Sequence, residues 1–240
     1  MTPTVHRLLR SSPHALTLGN VLCGTAALGA LIGGGSVRRA AGLVALGLLF
    51  DLLDGRTARR LGVQGPFGAQ LDSLADVITF GLAPAGVLYV WKLAPLGGLG
   101  QAAVAALVVA AVTRLARFTS AAGAPPPPGP ARFRGLAVTL PAAIILGAAV
   151  ADLAVPPAVA AGVAFALAAL MVSALPYRSF KDRSVAWVLV PVAGLATALG
   201  LYSGQALTGL GLALAFGGAG YALSAPLIGL ARRLHPRATH

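Results

Sequence analysis

Long apolar runs separated by short basic, glycine or proline segments dominate this chain of 240 residues. Apolar residues make up 57% of the sequence and charged residues only 10%, and the mean hydropathy is +0.84. Because soluble domains contain roughly 45–50% apolar and about 25% charged residues, the composition argues against a soluble globular domain. A membrane crossing takes about 20 residues, so we predict an all-α polytopic membrane protein with about eight transmembrane helices. The apolar runs lie at about residues 16–35, 38–60, 68–92, 98–119, 135–153, 156–175, 184–203 and 206–230.

The distribution of basic residues predicts the membrane topology. If both termini are cytoplasmic, every Lys and Arg except Arg38, Arg39 and Lys92 falls on the cytoplasmic side, in agreement with the positive-inside rule. Arg38 and Arg39 contradict the rule. We therefore expect an integral protein of the cell membrane with both ends in the cytoplasm. The expected organisation is a single membrane domain over 1–240, with a cytoplasmic tail at 1–15, a core at 16–183 and two further transmembrane helices at 184–230.

The net charge of +12 has two interpretations, a nucleic-acid partner or cytoplasmic loops that face anionic lipid headgroups. The apolar composition favours membrane lipids, and we expect no nucleic-acid partner. The single cysteine, Cys23, excludes an internal disulfide and a metal site built from several cysteines. The histidines at 6, 14, 235 and 240 lie in the predicted tails, where an imidazole is usually solvated.

Four of the six acidic residues cluster where the second apolar run ends and the third begins: Asp51, Asp54, Asp72 and Asp76. On a helix, a spacing of three or four residues places both members of each pair on one face. Gly62, Gly65 and Pro66 lie between the pairs and predict a turn. Two antiparallel helices joined by this turn would bring the four carboxylates together at the cytoplasmic end of the bundle.

Converging carboxylates near a membrane need a neutralising cation. Oxygen ligands without His or Cys fit Mg²⁺ or Mn²⁺, and four carboxylates can hold two such ions in the arrangement that serves phosphoryl transfer. Gly55 and Ala58 leave the helix surface bare beside the acids, Arg59 could bind a phosphate, and Gly68 would permit a close helix crossing. Salt bridges to the neighbouring arginines are the alternative, and they involve Arg56, Arg59 and Arg60.

These residues form a recognisable pattern. Residues 51–59 read Asp-Leu-Leu-Asp-Gly-Arg-Thr-Ala-Arg, and after eight residues 68–76 read Gly-Ala-Gln-Leu-Asp-Ser-Leu-Ala-Asp. The pattern resembles the signature DxxDGxxARx8GxxxDxxxD of the CDP-alcohol phosphatidyltransferases. Further segments look like the integral-membrane CDP-diacylglycerol–serine O-phosphatidyltransferases of that family, and they are Leu16–Gly24, Leu71–Ala85, Arg114–Phe118 and Leu175–Lys181.

The resemblance covers about residues 14–183 and has two departures. Thr119 stands where an Asn often follows the Arg114–Phe118 segment, and Gly135–Ala137 lacks the expected proline, which comes later at Pro141. Neither departure touches the acidic signature, but both bear on the pocket for the acceptor alcohol.

The resemblance implies a reaction in which an alcohol hydroxyl attacks the lipid-side phosphorus of CDP-diacylglycerol and displaces CMP. It implies that Asp51, Asp54, Asp72 and Asp76 hold two divalent ions and that Asp76 is also the general base. It further implies that Gly55 and Ala58 line the cytidine site, that Arg59 assists the nucleotide or the charge balance, and that the protein is a homodimer.

Other polar residues near the cytoplasmic face are candidates for substrate contacts. Thr17 and Asn20 could hydrogen-bond the nucleotide or the diphosphate, and the alternative is a helix cap and an interhelical contact. Recognition of the carboxylate of L-serine calls for basic groups, for which Arg117, Arg178 and Lys181 are the candidates. The alternative is that these three anchor the chain at lipid headgroups.

The predicted function is metal-dependent phosphatidyl transfer from CDP-diacylglycerol to L-serine. The same reaction with glycerol 3-phosphate, inositol or inositol phosphate stays open, and Arg132 and Arg134 could supply the additional positive charge such acceptors need. An ion-coupled transporter is a further alternative, because intramembrane carboxylates often mark ion pathways. No inverted repeat of the Asp pattern supports it.

Overall fold

The computed structural model describes residues 3–63, 65–121, 132–178 and 206–234. The α-helices in the first half of the chain are α1 (Pro3–Ile32), α2 (Val37–Leu61), α3 (Pro66–Asp76), α4 (Ala83–Leu88) and α5 (Gly98–Ala121). They are followed by α6 (Thr139–Val150), α7 (Pro157–Val172) and α8 (Ala206–Leu234). Two strands of three residues, β1 (Arg132–Arg134) and β2 (Pro176–Arg178), form a small antiparallel ribbon.

The predicted class, an all-α polytopic membrane protein, is confirmed. Among the described residues, four helical stretches are long and apolar enough to cross a membrane: Pro13–Ile32, Pro66–Leu96, Gly98–Ser120 and Leu207–Ser224. α6 and α7 are apolar but shorter, with 12 and 16 residues. The predicted span at 184–203 lies outside the described residues, so the expected total of about eight stays a prediction.

α1 begins at Pro3, so most of the expected tail at 1–15 is helical, and its cytoplasmic location stays a prediction. One element differs from the prediction. The third apolar run is not a regular α-helix, because π-helical turns at Val77–Leu82 and Tyr89–Leu93 interrupt it. Pro84 lacks the N–H that would donate to the carbonyl four residues earlier, which favours the wider turn directly after Asp76.

The turn between α2 and α3 is specified locally. α2 ends at Gly62, whose φ of 63° is the left-handed conformation that favours glycine at a helix C-terminus. α3 begins at Pro66, which occupies the first helical position, where a missing N–H costs nothing. The chain therefore reverses between Asp54 and Asp72.

α1 packs along α2, α5 packs against α7, and α6 packs against α8. The close approach of α1, α2 and the first π-helical turn depends on a glycine at the point where they meet. A Cβ added to Gly47 of α2 would lie 2.7 Å from Thr79 Cγ2 and 2.9 Å from Asn20 Oδ1. α1, α2 and the first π-helical turn are thus held in contact beneath the carboxylates.

Strand β2 of the ribbon packs against α8. The ribbon pairs Arg132 with Arg178 and Phe133 with Tyr177. The Tyr177 hydroxyl donates to the Ala222 carbonyl of α8 at 2.9 Å. Burial, and then the neighbouring Tyr221, raise the pKa of Tyr177 to about 12, so this hydroxyl keeps its proton at neutral pH.

Candidate active site

Three of the four clustered aspartates come together. Asp51 of α2 and Asp72 and Asp76 of α3 each present a carboxylate oxygen, and these oxygens lie within 4.8 Å of one another. All three side chains are half-buried. The Oδ1 atoms of Asp72 and Asp76 are buried without a hydrogen-bond partner. Repulsion among three carboxylates and two unpaired buried oxygens make this arrangement costly unless a cation is bound.

The donor set suits a hard divalent cation. Carboxylate oxygens without nitrogen or sulfur ligands fit Mg²⁺ or Mn²⁺ better than Zn²⁺. Two of the three arginines considered as salt-bridge partners, Arg56 and Arg59, contact other groups in the described part of the chain. Arg56 Nη1 donates within its own helix to the Leu52 carbonyl at 3.3 Å, and Arg59 lies over Gly55. The residues present therefore fit a divalent metal site.

Asp54 has a different environment from the other three aspartates. It is only 5% exposed, and its Oδ2 accepts a hydrogen bond of 2.6 Å from the Thr17 hydroxyl of α1. Asp54 is close enough to Asp72 for an electrostatic interaction. Thr17 lies in the interior of α1, so the alternative that it caps a helix is wrong. Its hydroxyl instead fixes the orientation of one acid of the signature.

Several residues near Asp54 are the ones that the family resemblance assigns to the nucleotide. A Cβ on Gly55 would lie 3.3 Å from Arg59 Nη1, and both Arg59 and His14 are within electrostatic range of Asp54. A Cβ on Gly68 would lie 3.2 Å from His14 Cε1. Ala58 is half-buried on the same helix. The bare surfaces at Gly55 and Gly68 are therefore flanked by one guanidinium and one imidazole.

His14 lies beside the acidic signature, a position that the sequence did not predict. The imidazole was expected to be solvated in a tail, but it is half-buried and meets the Phe67 ring edge-on at 5.4 Å between centroids. The available signal was its spacing, since His14 precedes Thr17 by three residues and so shares a helix face with it.

Asn20 lies one helical turn beyond Thr17 and is fully buried. Its backbone carbonyl accepts a hydrogen bond of 2.9 Å from the Thr79 hydroxyl, and its side-chain Oδ1 and Nδ2 have no hydrogen-bond partner. Asn20 thus lies at the junction of α1, α2 and the first π-helical turn, where its backbone carbonyl and not its side chain makes the interhelical hydrogen bond.

Arg114 is a second residue whose position the sequence did not predict. It is half-buried on α5, its Nε is buried without a hydrogen-bond partner, and it interacts electrostatically with Asp76. A signal was present, because Arg114 opens the segment Arg114–Phe118 that carries part of the resemblance. Its position gives the acidic cluster a neighbouring cation with an unused donor.

The three basic candidates for the acceptor are placed unequally. Arg117 is exposed, and its Nη1 donates to the Val172 carbonyl at 2.8 Å, which ties α5 to the end of α7. Arg178 lies on β2 opposite Arg132. Lys181 lies outside the described residues.

Thr119, one of the two departures from the family pattern, also contacts the signature helix. The Thr119 and Ser73 hydroxyls are hydrogen-bonded at 3.1 Å, and the Thr119 hydroxyl also donates to the Leu115 carbonyl at 2.6 Å. Ser73 adjoins Asp72 in the sequence, so Thr119 helps to fix α3 against α5.

The fold and the acidic cluster together define an integral membrane protein with a carboxylate site formed by residues of α2 and α3. The sequence profile of the CDP-alcohol phosphatidyltransferases matches residues 10–193, which is most of the chain. The chain belongs to the CDP-alcohol phosphatidyltransferase family.

The chain is also similar to several curated proteins of one named activity. Proteins named CDP-diacylglycerol–serine O-phosphatidyltransferase are 38% identical over 104 residues in Helicobacter pylori, 45% over 83 in Mycobacterium leprae and 32% over 106 in Bacillus subtilis. These matches cover 43%, 35% and 44% of this chain. They cover 42%, 27% and 59% of the respective relatives, so each match spans less than two thirds of the relative.

Proposed function

We propose that this protein transfers the phosphatidyl group of CDP-diacylglycerol to the hydroxyl of L-serine, with release of CMP, in a metal-dependent reaction. The observation that carries the proposal is the convergence of Asp51, Asp72 and Asp76, with two buried carboxylate oxygens that lack a partner. Family membership supports the reaction class, and the names of the relatives support serine as the acceptor.

The proposed metal ligands are Asp51, Asp54, Asp72 and Asp76. Two bound divalent ions, Mg²⁺ or Mn²⁺, would stabilise the negative charge that develops on the diphosphate. The Thr17 hydroxyl donates a hydrogen bond to Oδ2 of Asp54, so Oδ1 is the oxygen that we propose for a metal. Thr17 is therefore a positioning residue that acts through Asp54.

The proposed chemical step needs a base at the serine hydroxyl. Asp76 takes the hydroxyl proton as the serine oxygen bonds to the lipid-side phosphorus, and the bond from that phosphorus to the CMP oxygen breaks. CMP leaves with the electron pair. Asp76 has two carboxylate oxygens, so it can bind a metal ion through one and accept the proton at the other.

The proposed nucleotide site includes Gly55, Ala58, Arg59 and Gly68. Absent side chains at the two glycines allow a ligand to approach the backbone, and Arg59 supplies a donor for a phosphate. Thr17 contributes through its hydrogen bond to Asp54. Asn20 has free polar atoms but is fully enclosed, so its proposed contribution is to shape the floor of the site.

The acceptor site is proposed to contain Arg117, Arg178 and Lys181, to which we add Arg114. Serine carries a carboxylate that a guanidinium binds with two parallel hydrogen bonds. Arg114 supports this role through its unpaired Nε and its electrostatic interaction with Asp76, the proposed base.

A second candidate function is the same reaction with a phosphorylated acceptor, such as glycerol 3-phosphate or inositol phosphate. The observation that favours it is the pairing of Arg132 with Arg178 across the ribbon, which gathers basic residues of two distant segments. The relatives' names favour serine.

The proposal also covers the membrane topology and the oligomeric state. The chain is an integral membrane protein, and we propose that both termini and the active site face the cytoplasm, where CDP-activated lipids and serine meet. We also propose a homodimer embedded among membrane lipids.

The experiment is an assay of CMP release from CDP-diacylglycerol by the detergent-purified protein. L-serine, glycerol 3-phosphate and inositol are compared as acceptors with Mn²⁺, with Mg²⁺ and with EDTA. We expect release that requires serine and a metal ion. Release with a different acceptor would retain the reaction class and reject serine, and no metal-dependent release with any acceptor would reject the proposal.

A further inference from the structure

An apolar cavity of about 290 Å³ lies between α2, α6 and α8. One end of it, at Leu48 and Phe80, is one helical turn from Asp51 and Asp76. Its walls include Ala45 and Leu48 of α2, Ala143 of α6 and Leu210 of α8, and Phe80 reaches it from the π-helical turn. In a membrane-embedded bundle, such a cavity is suited to a hydrocarbon chain rather than to water, because Arg38 and Thr139 are the only polar side chains in its described lining.

The cavity follows α2 from Arg38 to Leu48. Ten residues of α-helix correspond to about 15 Å at 1.5 Å per residue. Arg38 precedes Asp51 by thirteen residues, or about 20 Å along the helix axis. The Arg38 end of the cavity therefore lies toward the membrane face opposite the acidic cluster.

Positive charge is concentrated at that end. Arg38 is the one charged residue among the described residues that line the cavity, and it is exposed. Arg39 follows it, and α2 begins there with Ser36 as its N-cap, whose side chain accepts from the Arg39 N–H at 3.2 Å. The amides of a helix N-terminus add partial positive charge. No acidic side chain of the described ranges pairs with Arg38.

We propose that this cavity binds a phospholipid from the leaflet opposite the carboxylates, with its phosphate at Arg38 and an acyl chain between α2, α6 and α8. The complementarity to a phospholipid is twofold, because the cavity is lined mainly by apolar side chains and has the cationic Arg38 at one end. The site also accounts for Arg38, a basic residue that contradicts the positive-inside pattern of the rest of the chain. The lipid is a binding partner distinct from the substrate.

The test measures lipid retention by native mass spectrometry after reconstitution in nanodiscs of phosphatidylglycerol and phosphatidylcholine and extraction into mild detergent. We compare wild type with Arg38→Gln, which removes the charge, and Ala45→Trp, which fills the cavity. Arg39→Gln and Leu46→Trp are matched controls, since neither residue lines the cavity. CMP release and elution volume are followed to verify folding.

We expect a phospholipid adduct on wild type and on both controls. Loss of one charge-assisted phosphate contact in Arg38→Gln should weaken retention on the order of tenfold, and Ala45→Trp should abolish it while CMP release persists. Equal retention by all five proteins would overturn the proposal. So would a result in which Ala45→Trp raises KM only for long-chain CDP-diacylglycerol, since the cavity would then hold the chain of the substrate.

Discussion

The Thr17 hydroxyl of α1 donates to Asp54 Oδ2 of α2 at 2.6 Å, with both residues buried. The two residues are 37 positions apart in the sequence. The bond makes the geometry of the acidic signature depend on a helix that contributes none of its aspartates. Residues that orient metal ligands commonly matter nearly as much as the ligands themselves.

Replacing Thr17 by Val should therefore impair metal use. Without the hydroxyl, Asp54 can rotate, and we expect a loss of about 10–100-fold in metal affinity or activity, the usual effect of removing a residue that orients a ligand. The measurement is the Mn²⁺ concentration dependence of CMP release. Thr17→Ser keeps the hydroxyl and should retain most activity, whereas equal behaviour of the two variants would show that the bond has no such role.

The junction beneath the site should not tolerate added volume. Gly47→Ala would place a Cβ 2.7 Å from Thr79 Cγ2 and 2.9 Å from Asn20 Oδ1, and overpacking of this kind typically costs about 1–3 kcal/mol. Gly42→Ala on the same helix is the control, because a Cβ there meets nothing within 4 Å. Thermal unfolding in detergent should show a lower Tm for Gly47→Ala only. A Tm equal to that of wild type would contradict the close packing described here.

Arg114 should contribute to the acceptor site. Replacing it by Gln removes the charge beside Asp76, and we expect a loss on the order of tenfold in kcat/KM for serine, equivalent to one charge-assisted hydrogen bond. Lys92→Gln is the control, since Lys92 lies over the Trp91 ring, 4.8 Å from its centroid, and away from the acids. Initial rates at varied serine concentration provide the measurement. An unchanged KM and kcat in Arg114→Gln would remove this residue from the proposed site.

Ser73 and Thr119 should be energetically coupled. Their hydroxyls are 3.1 Å apart and join α3 to α5, and a neutral hydrogen bond contributes about 0.5–1.5 kcal/mol. A double-mutant cycle with Ser73→Ala and Thr119→Val should return a coupling energy of that size from unfolding measurements. Additive effects of the two substitutions would show that the helices are held together without this bond.

The helical membrane fold was predictable because apolar runs and turn residues are local signals. The reversal between Asp54 and Asp72 follows from Gly62 and Pro66 in the same way. The π-helical turn after Asp76 was not predicted, since its apolar sequence suits a regular helix equally well.

The less predictable features depend on contacts between distant segments. The separate environment of Asp54 arises from Thr17 on another helix, and the position of His14 arises from its packing against Phe67 and Gly68. Arg114 opens a segment that resembles the family, but its electrostatic interaction with Asp76 depends on the packing of α5 and was not predictable from the spacing. The spacing of a motif specifies which residues share a helix face but does not reveal what the neighbouring helix places against them.

The most direct test of the central proposal compares two aspartates of the same chain. Asp76→Asn removes the proposed base and metal ligand, whereas Asp152→Asn alters an exposed acid whose Oδ1 accepts from Trp91 Nε1 at 3.2 Å. The measurement is serine-dependent CMP release from CDP-diacylglycerol with Mn²⁺. We predict a loss of at least about 100-fold for Asp76→Asn, the lower end of general base effects, and near wild-type activity for Asp152→Asn. Full activity in Asp76→Asn, or an equal loss in both variants, would contradict the proposed role of the acidic cluster.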